Sequence, residues 1–178
     1  MLKNNDIKLR PLELEDSDLL RKWRFFEDNY DYFYEYTPNS SYSNKNWVQN
    51  CLNKTNEINF IITGNNSCID IGMISLLEID LRNKKCEMGR VLIANNSSRG
   101  KGLGTQAIKL VLEYAFNHLN LNKVYCEVFA DNLRALNSYK KIGFVQDGLF
   151  KNHIYKNGIY KNVAHLSIEK EKFQTEIL

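Results

Sequence analysis

Between Cys86 and Thr105 a short apolar run gives way to three glycines at alternate positions, Gly100, Gly102 and Gly104, which open an amphipathic pattern running to about Leu119. That order predicts a strand, a glycine loop and a helix. Glycines let the backbone approach a ligand closely and adopt unusual dihedrals. The first turn of the helix that follows presents unpaired N–H groups and the positive end of its dipole, so the natural guest is an anion, most often a phosphate. Arg99 and Lys101 add two cationic side chains beside the loop.

The rest of the chain supplies the frame. Residues 6–12 alternate as a half-buried strand ending at Pro11, and residues 13–26 run from acidic to basic, with Leu19, Leu20, Trp23 and Phe26 at helical spacing. Residues 43–52 read as a second helix with Ser43 as N-cap, followed by strands over 58–63 and 68–77 around an Asn65-Asn66 turn. Lys85 to Ile93 is the strand that delivers the chain to the loop; a strand over 123–130 and a short helix over 133–141, opened by Asn132 and closed by Gly143, come after the loop helix. Two last strands, 144–150 and 158–170, join around Lys156-Asn157-Gly158. The class is α/β in the mixed, α+β sense, one domain over residues 1–178, with a largely antiparallel sheet and a parallel step across the loop helix.

Composition excludes several classes. With 43% hydrophobic and 25% charged residues over 178 positions the chain is an ordinary globular protein, and a net charge of +3 without a basic stripe argues against nucleic acid. Met1 to Arg10 carries no apolar run of signal-peptide length, and no segment approaches the roughly 20 apolar residues of a membrane span, so a cytoplasmic protein without a membrane partner is expected. Cys51, Cys68, Cys86 and Cys126 lack metal-ligand spacing with one another or with His118, His153 and His165; no metal is expected, and the thiols read as free.

Three anions could suit the glycine loop. A nucleoside triphosphate loop requires Gly-x-x-x-x-Gly-Lys-Ser/Thr, which residues 100–105 lack, and a dinucleotide loop requires Gly-x-Gly-x-x-Gly, whereas here the third glycine comes one position early. The pyrophosphate of coenzyme A is the third, and a plain tight strand-to-helix turn with no ligand stays open beside them. Arg99-x-x-Gly102-x-Gly104, followed by Asn132-x-x-Ala135-x-x-x-Tyr139-x-Lys141-x-Gly143-Phe144, resembles the signature pair of the GCN5-related N-acetyltransferase (GNAT) superfamily. Leu9-Arg10-Pro11-Leu12 resembles that family's first strand, and Asn157-Gly158-x-Tyr160 the closing hairpin of its ribosomal-protein-alanine and spermidine acetyltransferase branch.

The resemblance implies a twisted mixed sheet of about seven strands with about four helices, splayed between the strand ending near Ile93 and the strand 123–130. It implies acetyl-CoA as co-substrate. The backbone of Val91, Leu92 and Ile93 would meet the pantetheine arm, and Arg99, Gly100, Lys101, Gly102, Leu103, Gly104 and Thr105 the pyrophosphate; Asn132 would bind the coenzyme or cap its helix. Tyr139 matches the family's general acid, and Glu87 is the expected base, with Glu127 and Glu78 as fallbacks. A small-molecule amine is expected as acceptor: an amino sugar, a nucleotide-linked amino sugar or a polyamine. Trp23, Arg24, Tyr34 and Glu35 are the substrate candidates. A protein N-terminus as acceptor and a non-catalytic acyl-CoA-binding module are the alternatives, and a homo-oligomer stays open.

Overall fold

A computed structural model of the chain describes residues 2–25, 29, 31, 33–34, 39–94 and 96–177. Seven strands form one sheet in the order β1-β2-β3-β4-β5-β7-β6: β1 (Ile7–Pro11), β2 (Ile58–Gly64), β3 (Asp70–Asp80), β4 (Lys85–Ile93), β5 (Lys123–Phe129), β6 (Val145–Lys156) and β7 (Ile159–Glu169). All neighbours are antiparallel except β4 and β5, which run parallel because α3 (Leu103–Glu113) crosses between them. Among the described residues the other α-helices are α1 (Ser17–Phe25), α2 (Ser41–Asn53), α4 (Leu133–Ile142) and α5 (Lys170–Ile177).

Strand alternation decides which side chains reach each face. Cys86 and Met88 of β4, with Val124, Cys126 and Val128 of β5, are buried in the larger core against α3, α4 and α5. The residues between them, Glu87, Tyr125 and Glu127, point to the other face. There a smaller core of Leu20, Trp23, Val48, Ile61 and Met73 lies beneath α1 and α2. Burying an aliphatic side chain of this size contributes roughly 1.5–3 kcal/mol, and a one-residue slip of β5 would send its buried set to the wrong face. Arg10 ties the start of the chain to the sheet: its guanidinium meets Asp16 at 2.7 Å and Asp70 at 2.6 Å.

Several boundaries differ from expectation for local reasons. The first helix is preceded by a 3-10 turn, Leu14–Asp16, where Glu13 and Asp16 form a reciprocal capping box. The N-cap of α2 is Ser40, whose hydroxyl accepts from the Ser43 amide at 3.0 Å, so Ser43 lies inside the first turn. Strand β6 continues through residues 151–156 despite irregular pairing between Phe150 and Ile154, and its hairpin turns at Asn157 (φ 51°) and Gly158 (φ 82°). Both residues being left-handed is the backbone of a tight hairpin turn, which Asn-Gly adopts readily. Helix α5 was not anticipated; it is anchored by Phe173, buried against Phe116 at 5.3 Å between ring centroids. No described helix is long and apolar enough to cross a membrane.

Candidate active site

The parallel step is short. Strands β4 and β5 pair only through Lys85–Lys123, Cys86–Val124 and Glu87–Tyr125, and beyond these they part. The cause lies in β4 itself. Met73 faces Leu92 and Ser75 faces Gly89, so β4 carries an extra residue, and Arg90 takes φ 54°. Such a conformation is costly for a residue with a side chain, and Arg90 is held there by bonds to Glu57 (2.9 Å) and Asn59 (2.7 Å). Beyond the bulge, Val91, Leu92 and Ile93 have no strand beside them on the β5 side among the described residues.

A groove of about 800 Å³ opens there. It is lined by Val91, Leu92 and Ile93, by Arg99, Gly100, Gly102, Leu103, Gly104 and Thr105 of the loop and α3, and by Asn132 and Tyr139 of α4. Gly100 and Gly102 both have φ 76°, and a Cβ built on either would meet nothing within 4 Å. The conformation, not crowding by the protein, calls for glycine at these two positions. Their unobstructed backbone and the unpaired amides at the start of α3 leave the room and the donors that a pyrophosphate needs.

The two loop cations are placed differently. Lys101 is exposed and does not line this groove; it borders a smaller depression with Asp6, Asn66 and Ser67. Arg99 does line the groove, but its Nε donates to the Ile93 carbonyl at 3.0 Å and its guanidinium bonds Asn29 Oδ1, so it braces the end of β4 against the residues after α1. Arg134 and Lys141 of α4 supply the other cationic lining, with Ser138 between them. Sequence reasoning missed Arg134 and Ser138 and took Lys141 only as part of the signature; the spacing of four and three places all three on one side of α4, a signal readable once Asn132 is taken as the cap. Asn132 is that cap, its side chain accepting from the Ala135 amide at 3.1 Å.

On the core side of the groove stands Tyr139, 7% exposed, its ring 5.5 Å from that of Phe144. Burial raises its pKa strongly, with Cys126 and Tyr34 adding to the effect. On the opposite face of the sheet Glu87 is half-buried, and burial, then Glu127 and Glu78, raise its pKa while Arg90 opposes them. Glu78 accepts from the Tyr125 hydroxyl at 3.1 Å. Tyr34 packs its ring 4.9 Å from Phe129; its hydroxyl is buried, with no partner among the described residues, and burial, Glu127 and Glu87 raise its pKa. The splay is therefore an opening in the sheet with a phenol on one side and carboxylates on the other.

The remaining substrate candidates divide. Trp23 is 5% exposed, packed in the smaller core, and does not line the groove. Its neighbour Arg24 stacks over the Trp47 ring at 4.2 Å and lies 5.8 Å from the Phe33 ring. Glu35 lies outside the described residues. Cys86 and Cys126 are buried free thiols of the core, the former pushed up to about 12 by burial and Glu87. His118 and His165 stack on Tyr114 and Tyr125, and among the described residues no group of three or more His, Cys, Asp or Glu could hold a metal.

The family described as acetyltransferase (GNAT) domain matches residues 6–145. The chain belongs to the GNAT acetyltransferase family. Spermidine N(1)-acetyltransferase of Escherichia coli (strain K12) is 30% identical over 154 residues, covering 81% of this chain and 75% of that one. The Vibrio cholerae enzyme of the same name is 28% identical over 146 residues, covering 82% of each. Among solved structures, the spermidine N-acetyltransferase from Vibrio cholerae in complex with CoA and spermine matches with a TM-score of 0.87 at 26% identity, covering 96% of this chain and 99% of that one. A dodecameric structure of that enzyme in an intermediate state matches with a TM-score of 0.81 at 26% identity, covering 96% and 97%. This GNAT protein is an acetyl-CoA-dependent N-acetyltransferase with a seven-stranded open mixed sheet, and the acetyl thioester is what the coenzyme supplies to the site.

Proposed function

We propose that the chain acetylates a primary amine of a polyamine, with Glu87 and Tyr139 working from opposite sides of the splay. The observation that carries this reading is the gathering of Glu87, Glu127 and Glu78 on the face of the sheet opposite Tyr139, each raising the proton affinity of Glu87 or sharing its surroundings. Carboxylates in a half-buried site favour a cationic guest, and a polyamine has several ammonium groups to offer. The likeness to spermidine acetyltransferases over most of the chain supports the same acceptor.

The roles follow from the chemistry of the step. An attacking ammonium must lose a proton before its nitrogen has a lone pair, and Glu87, with its pKa raised by burial and by Glu127 and Glu78, is suited to take it directly or through a water. The departing sulfur must gain one, and Tyr139, protonated through neutral pH, is suited to donate it. The backbone of Val91, Leu92 and Ile93 aligns the pantetheine arm as an added strand would, though Arg99 already occupies the Ile93 carbonyl. Loop amides from Gly100 to Thr105 address the pyrophosphate, with Arg134 and Lys141 as the nearby cations and Asn132 fixing the start of α4. Tyr34 and Arg24 belong to the acceptor side.

Homo-oligomerisation is part of the same reading, supported by the dodecameric relative and by β6, an edge strand with Leu149, Phe150 and Tyr155 exposed. A cytoplasmic setting, where acetyl-CoA is supplied, suits this chemistry. The test is thiol release from acetyl-CoA with spermidine, spermine, glucosamine and a short peptide as acceptors. The largest kcat/KM is expected for a polyamine; a larger value for the amino sugar or the peptide would overturn the acceptor.

A further inference from the structure

The turn that joins β6 to β7 does more than close a hairpin. Lys156, its last β6 residue, is 2% exposed, and an ammonium this buried needs a partner of its own. Its Nζ donates to the backbone carbonyl of Phe33, far away in sequence, and burial lowers its pKa against the opposing pull of Asp31. The next residue, Asn157, donates from Nδ2 to Asp31 Oδ1 at 3.0 Å. Two consecutive residues of the hairpin thus hold two positions of the segment between α1 and α2.

What they hold in place is Tyr34, the residue after Phe33. Its ring rests on Phe129 at the end of β5, and its buried hydroxyl has no partner among the described residues. An unmatched buried hydroxyl is a cost that a ligand with a donor or acceptor removes. Tyr34 is also within electrostatic reach of Glu127, Glu87 and Tyr139, the groups on both sides of the splay. A phenol there can accept from an ammonium N–H while donating to a carboxylate.

We infer that Lys156 is a positioning residue for the acceptor amine: through the Phe33 carbonyl it fixes the backbone that presents the Tyr34 hydroxyl to the amine beside Glu87. This rests on the acetyl-transfer reading of the site. Lys156 is not part of the groove lining, so the coenzyme is not expected to sense it.

Lys156→Met keeps the aliphatic stem and removes the donor. The acceptor KM, measured with spermidine, should rise about tenfold, the scale of one lost charge-assisted hydrogen bond, with the acetyl-CoA KM unchanged. Lys156→Arg should recover part of the loss. In a Tyr34→Phe background Lys156→Met should cost little more, because both changes act through one hydroxyl. Asn157→Gly, which keeps the left-handed turn without strain and deletes only the side-chain bond, should move the acceptor KM the same way by less, and it stands in if Lys156→Met does not fold. Independent, additive losses from Lys156 and Tyr34, or equal rises in both KM values, would overturn the inference. If the wild type acetylates no polyamine, the acceptor reading fails separately, and hydrogen exchange then decides: the amides of Phe33 and Tyr34 should exchange faster in Lys156→Met, and unchanged rates would overturn the positioning role.

Discussion

Replacing Gly104 by alanine should make the protein more stable and its coenzyme binding weaker. Gly104 is the second residue of α3 and, unlike Gly100 and Gly102, has no positive φ. A Cβ there would sit 3.5 Å from Ile93 Cγ1, an ordinary contact, so the protein alone does not require glycine. Alanine in a helix is favoured over glycine by about 0.5–1 kcal/mol, which for a chain of this size corresponds to a rise of roughly 1–4 °C in Tm. Gly104 also lines the groove at the open end of the helix, where a phosphate would approach the backbone. A methyl group displaces that approach and lengthens the bonds to the first amides; losing one charge-assisted bond at roughly 1.5–3 kcal/mol weakens binding about ten- to 150-fold. Differential scanning fluorimetry without ligand and calorimetric titration with coenzyme A separate the two effects. A stabilised variant with unchanged affinity would refute the assignment of this loop to the pyrophosphate.

Further expectations follow from the same geometry. Tyr139→Phe should lower kcat by about 10²–10⁴ with coenzyme affinity nearly intact, the size of a lost general acid; a kcat within a fewfold of wild type in steady-state thiol release would remove Tyr139 from that role. Arg10→Met should cost roughly 1–4 kcal/mol in urea unfolding, since it leaves the buried Asp16 and the half-buried Asp70 without their cation. Burial alone would raise the Asp70 carboxyl, but hydrogen bonds from Arg10 and Thr63 hold it below its usual range. Its contribution to stability is therefore present above the ordinary aspartate pKa and lost as pH falls through the lowered one, a loss that unfolding curves in acid should record and that Asp70→Asn should abolish.

The glycine loop, β4 and β5 were legible because each rests on a local rule: alternation for the strands, alternate glycines and an amphipathic run for the turn into α3, an Asn cap and a Gly stop for α4. Long-range features were not. Nothing near Arg90 announces a left-handed residue, because Glu57 and Asn59, which hold it, lie just before and within β2. Arg99 lines the groove, but its bond to the Ile93 carbonyl is not legible from its place in the loop, and Trp23, read as a substrate contact, is a core residue whose burial depends on α2. Helix α5 is short, and the contact of Phe173 with Phe116 and the bond of the Lys170 amide to the Asn122 carbonyl, both distant in sequence, fix where it lies.

The central claim is that an amine is deprotonated on the carboxylate side of the splay while the thioester is served from the Tyr139 side. The pH dependence of kcat with saturating acetyl-CoA and spermidine, for wild type and for Glu87→Gln, tests it most directly. A base must be ionised to act, and Glu87 is held above the usual carboxylate range by burial, Glu127 and Glu78. The wild-type kcat should therefore fall as pH drops through that raised value, and in Glu87→Gln this limb should vanish along with most of the rate. A variant that keeps both the limb and the rate would contradict the account.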